Sequence, residues 1–120
     1  MLHGIIVDRD IGSRDLLVRV LSGLDWKTAA FRDLPDVADY LSGAWAIFVC
    51  STLVGGKDQH GIRWLRKQAP KAAIVLMQGS GEQAYEESLR DEGPDAVLSR
   101  PFAGSNVIDA VGIALIRRRR

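Results

Sequence analysis

Five short apolar runs punctuate the chain: HGIIV (residues 3–7), KTAAF (27–31), AIFVC (46–50), AAIVLM (72–77) and DAVLS (95–99). Each is too short for an ordinary helix, and three of them are apolar without alternation, as strands covered on both faces must be. Parallel neighbours cannot be joined by a tight hairpin, so the stretches between the runs must supply crossovers. They carry the right signals. Ser13 to Leu24 places Leu16, Leu17, Val20, Leu21 and Leu24 at helical spacing. Asp33 followed by Pro35 marks a helix start leading into Val37 and Leu41. Ile62 to Gln68 holds Trp64 and Leu65 and is stopped by Pro70, while the polar segment Glu82 to Glu92 is closed by Gly93 and Pro94. Ser105 to about Arg117 turns Val107, Ile108, Val111, Ala114 and Leu115 inward. The pattern predicts an α/β fold: a three-layer, doubly wound sheet of five parallel strands. Chemistry in such sheets gathers beyond the carboxyl ends of the strands, here Asp8 to Asp10, Ser51 and Thr52, Met77 and Gln78, and Ser99 to Pro101.

Composition narrows the class. At 120 residues, 47% hydrophobic and 26% charged, the chain reads as one domain spanning residues 1–120. A chain of this size buries roughly two-thirds of its unfolded surface, enough for a core without disulfides or structural metal. Cys50, the single cysteine, lies in an apolar run and reads as a small buried hydrophobe in a reducing compartment. No basic segment leads into a long apolar stretch at the N-terminus, and no window approaches the roughly 20 apolar residues that span a bilayer. The expected location is the cytoplasm, away from membranes.

Two segments are more specific. GIIVDRD ends an apolar run in acidic residues, and SRPF (99–102) sets a cation before a proline and a phenylalanine. With the length and strand order, they resemble the receiver domain of bacterial two-component response regulators across nearly the whole chain. The resemblance implies a flavodoxin-like sheet in the order 2-1-3-4-5, helices one and five on one face and two, three and four on the other, and a cis peptide between Arg100 and Pro101. It implies a signalling module and no enzyme. It also implies a phosphorylation pocket: two carboxylates at strand one and one at strand three hold a magnesium ion, the third carboxylate accepts the phosphoryl group, and a hydroxyl at strand four and a lysine at strand five hold its oxygens.

The sequence departs from that pattern at nearly every position. Asp8 matches the first acid, Arg9 stands where the second is expected, and Asp10 follows one residue later. Ser51 replaces the acceptor aspartate, although the long loop after it leaves Thr52 or Leu53 open as the matching position. Met77 takes the hydroxyl position, Val97 that of an aromatic switch residue, and Arg100 that of the lysine before Pro101. The pocket so read offers few oxygen ligands, so neither metal nor other cofactor is expected, and no catalytic residue. Arg9 or Arg100 can neutralise Asp8 by bidentate pairing, or Arg9 can point into solvent. The expected function is that of a pseudo-receiver, part of a two-component or phosphorelay system but acting by phosphorylation-independent contact with a protein partner or a second copy. An output domain or a partner histidine kinase fits the same reading.

The partner surface is expected at Tyr85 and Leu89, four apart on the acidic segment, and at Ile113 and Ile116, off the inward stripe of the last helix. Two alternatives stand beside it. Asp58 on the long loop can serve as a displaced phosphoacceptor, though no strand fixes its geometry. The arginines 117–120 can contact DNA phosphates, but net charge is only +1 and no aromatic residue is interleaved with them, so helix-dipole complementation or a linker ranks above nucleic acid. QGSG (78–81) lacks the spacing of a nucleotide-binding loop, and His60 stands without a second metal ligand nearby.

Overall fold

The computed structural model describes residues 2–41, 43–54, 60–79 and 93–118. Strands β1 (Gly4–Val7), β2 (Thr28–Phe31), β3 (Ala46–Cys50), β4 (Ala73–Gln78) and β5 (Ala96–Ser99) form one sheet in the order β2-β1-β3-β4-β5. All four neighbouring pairs are parallel, with Val7 beside both Phe31 and Val49, Cys50 beside Met77, and Gln78 beside Ser99. This is the predicted flavodoxin-like order.

The continuous apolar runs are explained by two separate cores. Side chains alternate across each strand. Ile5, Val7, Ile47, Val49, Ile74 and Leu76 point to the face covered by a 3-10 helix (Leu34–Tyr40) and by α2 (His60–Gln68), meeting Val37, Leu41, Ile62 and Leu65. Ile6, Phe48, Val75, Met77 and Leu98 point to the other face, where α1 (Ile11–Gly23) and α3 (Gly104–Arg118) bring Leu17, Leu21, Val107 and Val111. Helices one and five thus share a face, as expected, and the second and third crossovers lie on the other. The predicted helix Glu82 to Glu92 lies outside the described residues. No helix among the described residues is long and apolar enough to cross a membrane.

Three local readings are corrected. The second crossover is 3-10 and not α-helical, and Asp33, its N-terminal neighbour, makes no side-chain cap because its carboxylate accepts the Arg9 guanidinium instead. Ile108 is exposed although the periodicity turned it inward: the buried stripe of α3 runs Val107, Ala110, Val111, Ala114, and the small alanines let the helix sit close to the sheet on that side. Leu24 likewise leaves the core, since α1 ends one residue earlier and Asp25 turns the chain with φ of 63°. Close approach also fixes Gly61, where a Cβ would stand 2.7 Å from Val54 Cα.

Candidate functional site

The carboxyl ends of β1, β3 and β5 meet around one buried acid. Asp8 follows β1 and is only 2% exposed. One of its oxygens accepts the Asp10 backbone N–H at 3.0 Å, and the other accepts Arg100 Nη2 at 2.6 Å. Arg100 follows β5 directly, its own N–H held by the Gln78 carbonyl at 2.9 Å, and the Arg100–Pro101 peptide is cis. The guanidinium reaches further: Nη1 donates to the Ser13 hydroxyl and lies 3.8 Å from Asp10, while Nη2 stands 3.5 Å from Cys50 Sγ. Burial works against the charge of Arg100, but its hydrogen bond and ion pair with Asp8, helped by Cys50, outweigh that and hold its pKa above the ordinary value.

Asp10 caps α1. Its Oδ2 accepts the Ser13 N–H at 2.9 Å and the Ser13 hydroxyl at 2.7 Å. These two bonds hold the Asp10 carboxyl below its ordinary pKa, with smaller help from the nearby arginines. Arg9 turns away from Asp8 and clamps Asp33 at 2.6 Å in a largely exposed pair. Of the two arginines able to neutralise Asp8, the structure therefore pairs Arg100 with it.

The other expected pocket residues are distributed differently. Ser51 begins the 3-10 turn Ser51–Val54, one residue past the strand, and is buried. The residue carried in register beside Asp8 is Cys50, whose thiol is half-buried and pairs with Thr52 Oγ1 at 3.3 Å. It is no core hydrophobe. Met77 is fully buried in the α1–α3 core, and Val97 packs against the core of the opposite face. Pro101 is exposed at the rim. Cys50 and Ser13 are the members that sequence reasoning missed. Strand parity, which places Cys50 on the face of Phe48, and the Asp-x-x-Ser spacing of a cap are the signals that point to them.

On α3, Ile113 and Ile116 are 49% and 63% exposed. Arg117 donates to the Asp95 carbonyl at 2.9 Å and Arg118 to the Pro70 carbonyl, so both arginines meet backbone oxygens at the foot of the sheet. Tyr85, Leu89 and Asp58 lie outside the described residues.

No protein-family model and no curated protein sequence matches the chain. Solved structures do. The beryllofluoride-activated NtrC4 receiver domain dimer matches at a TM-score of 0.80 and 13% identity, over 98% of this chain and 99% of that one. The chemotaxis response regulator CheY4 of Vibrio cholerae matches at 0.76 and 14%, over 96% and 99%. NtrX from Brucella abortus, in complex with ADP, matches at 0.78 and 22%, over 98% of this chain but 27% of its own, so the chain spans about a quarter of that protein. The strand order, the site at the strand ends and these likenesses agree on one conclusion: the chain has the fold of response-regulator receiver domains.

Proposed function

We propose that the chain is a pseudo-receiver: a response-regulator signalling domain of a two-component or phosphorelay system that acts through protein contacts without aspartyl phosphorylation. The observation that carries this reading is the pairing of Asp8 with Arg100 at 2.6 Å, which supplies by a guanidinium the positive charge that a divalent cation brings to a receiver pocket. Both Asp8 oxygens are engaged, Asp10 is committed to capping α1, and the end of β3 offers a thiol and a hydroxyl where a carboxylate nucleophile would stand. A hard cation needs several oxygen ligands, and this donor set does not fit one. The module then has no cofactor and no catalytic residue, and its specificity lies on its surface, with Ile113 and Ile116 of α3 as the contact residues for a second copy or a protein partner in the cytoplasm.

Acetyl phosphate or beryllofluoride, added with and without millimolar magnesium, tests the reading by amide NMR and intact mass. An unchanged spectrum and mass are expected. Magnesium-dependent shifts around Asp8, Cys50 and Ser51, or an aspartyl phosphate anywhere in the chain, overturn it.

A further inference from the structure

The opposite end of the sheet carries a cavity independent of the Asp8–Arg100 site. Its volume is about 610 Å³, within the rough range of 300–1,000 Å³ typical of ligand sites. Leu41, Trp45 and Leu115 give it apolar walls, Lys71 and Arg118 give it charge, and no carboxylate lines it among the described residues.

Trp45 is 44% exposed, yet its indole is held in place. The His3 ring lies 4.4 Å from it, and Trp26 meets it edge-on at 5.6 Å. His3 is fixed in turn, accepting the Lys27 N–H at Nδ1 over 2.8 Å, and the Trp45 backbone N–H donates to the His3 carbonyl at 2.8 Å. An exposed tryptophan already ordered loses little conformational freedom when a partner covers it, which is the property of an interface anchor.

The charge beside it is one-sided. Arg118 is positioned by donating Nε to the Pro70 carbonyl at 3.0 Å, and Lys71 stands exposed in the same turn. Asp95, whose charge acts on Arg118, is already engaged elsewhere. It is 8% exposed and accepts Arg66 at 2.9 Å and the Ile74 N–H at 2.8 Å. Burial first, and then the charge of Arg66, hold the Arg118 pKa below its ordinary value, and the charge of Asp95 offsets only part of this.

We propose that this cavity binds an acidic peptide segment of a partner protein, which seats a large apolar side chain against Trp45 and sets its carboxylates at Lys71 and Arg118. A second copy would bring the same cationic rim against itself, and a neutral apolar segment would leave the two cations partly covered and unpaired.

The capped peptide Asp-Glu-Phe-Glu-Asp, titrated against the full chain and followed by amide NMR and indole fluorescence, tests this. Saturable shifts at Ala44, Trp45, Lys71 and Ala72 are expected, weakening with added salt and absent with Lys-Arg-Phe-Arg-Lys. Lys71→Glu, at an exposed turn position, should weaken binding up to roughly fivefold. Arg118→Gln provides a second variant and should weaken it in the same direction. No saturable shift with the acidic peptide, an equal response to the basic one, or undiminished binding by both variants overturns the proposal. So does protein-concentration dependence of these same resonances without peptide, which would make a second copy the occupant.

Discussion

Arg100 Nη2 and Asp8 Oδ2, 2.6 Å apart, join the ends of β5 and β1 across the two strands that separate them in the sheet. Asp8 is almost wholly enclosed, so the carboxylate depends on that partner.

Removing one member of a buried pair strands the other. Arg100→Met is therefore expected to destabilise the fold by about 3 kcal/mol. The double variant Asp8→Asn with Arg100→Met should lose less than the sum of the two single changes, because neither charge is then left alone. Urea denaturation of the four proteins measures the coupling, and strictly additive losses would show that the pair is not a unit.

Asp10 gives a pH dependence with a definite sign. Its pKa is depressed in the folded state by Ser13, so its contribution is present above the ordinary value of 3.8 and is lost as pH falls through the lower folded value. Asp10→Asn keeps a good cap but cannot titrate there. Stability followed by thermal unfolding between neutral pH and pH about 3 should fall less steeply in that variant than in the parent. Parallel curves would assign the acid sensitivity elsewhere.

Restoring a carboxylate should not restore phosphorylation. Cys50→Asp places the acid beside Asp8 in register, and Ser51→Asp places it one residue on, in the turn. Each new carboxylate is expected to compete with Asp8 for Arg100, visible as a shift of the Arg100 guanidinium resonances. Intact mass after acetyl phosphate should show no adduct, since the donor set that stabilises a transferring phosphoryl group is still missing. A phosphorylated Cys50→Asp protein would mean that one residue alone silences the pocket.

Ile113→Asp and Ile116→Asp change side chains that are 49% and 63% exposed. Folding stability should move by about 0.5 kcal/mol or less. Any self-association of the parent seen by light scattering should be reduced, and an unchanged mass for a dimeric parent would move the contact to another face.

The sheet was legible because strands buried on both sides leave unbroken apolar runs such as Ala46–Cys50, whereas the strand order was implied by the resemblance to receiver domains. The site was legible only in part. Asp8 and Arg100 stand out as charges at strand ends, but which arginine serves Asp8 depends on Asp33, which draws Arg9 away from 24 residues downstream. Cys50 was hidden by its own polarity: a thiol at the end of an apolar run looks like the run, and only the pairing of Val7 with Val49 sets it beside the acid. Ile108 was misplaced because helical spacing defines a wide stripe, and packing against the sheet chose the side with small residues.

The Asp8–Arg100 bridge spans 92 residues of sequence and can close only when β3 and β4 have already taken their places between its ends. It is therefore expected to form late, after the barrier that folding crosses. Its strength should appear almost wholly in how long the native state lasts: Arg100→Met should refold at nearly the parental rate and unfold roughly a hundredfold faster. On that expectation the bridge is a latch on native-state lifetime, thrown after the sheet has formed.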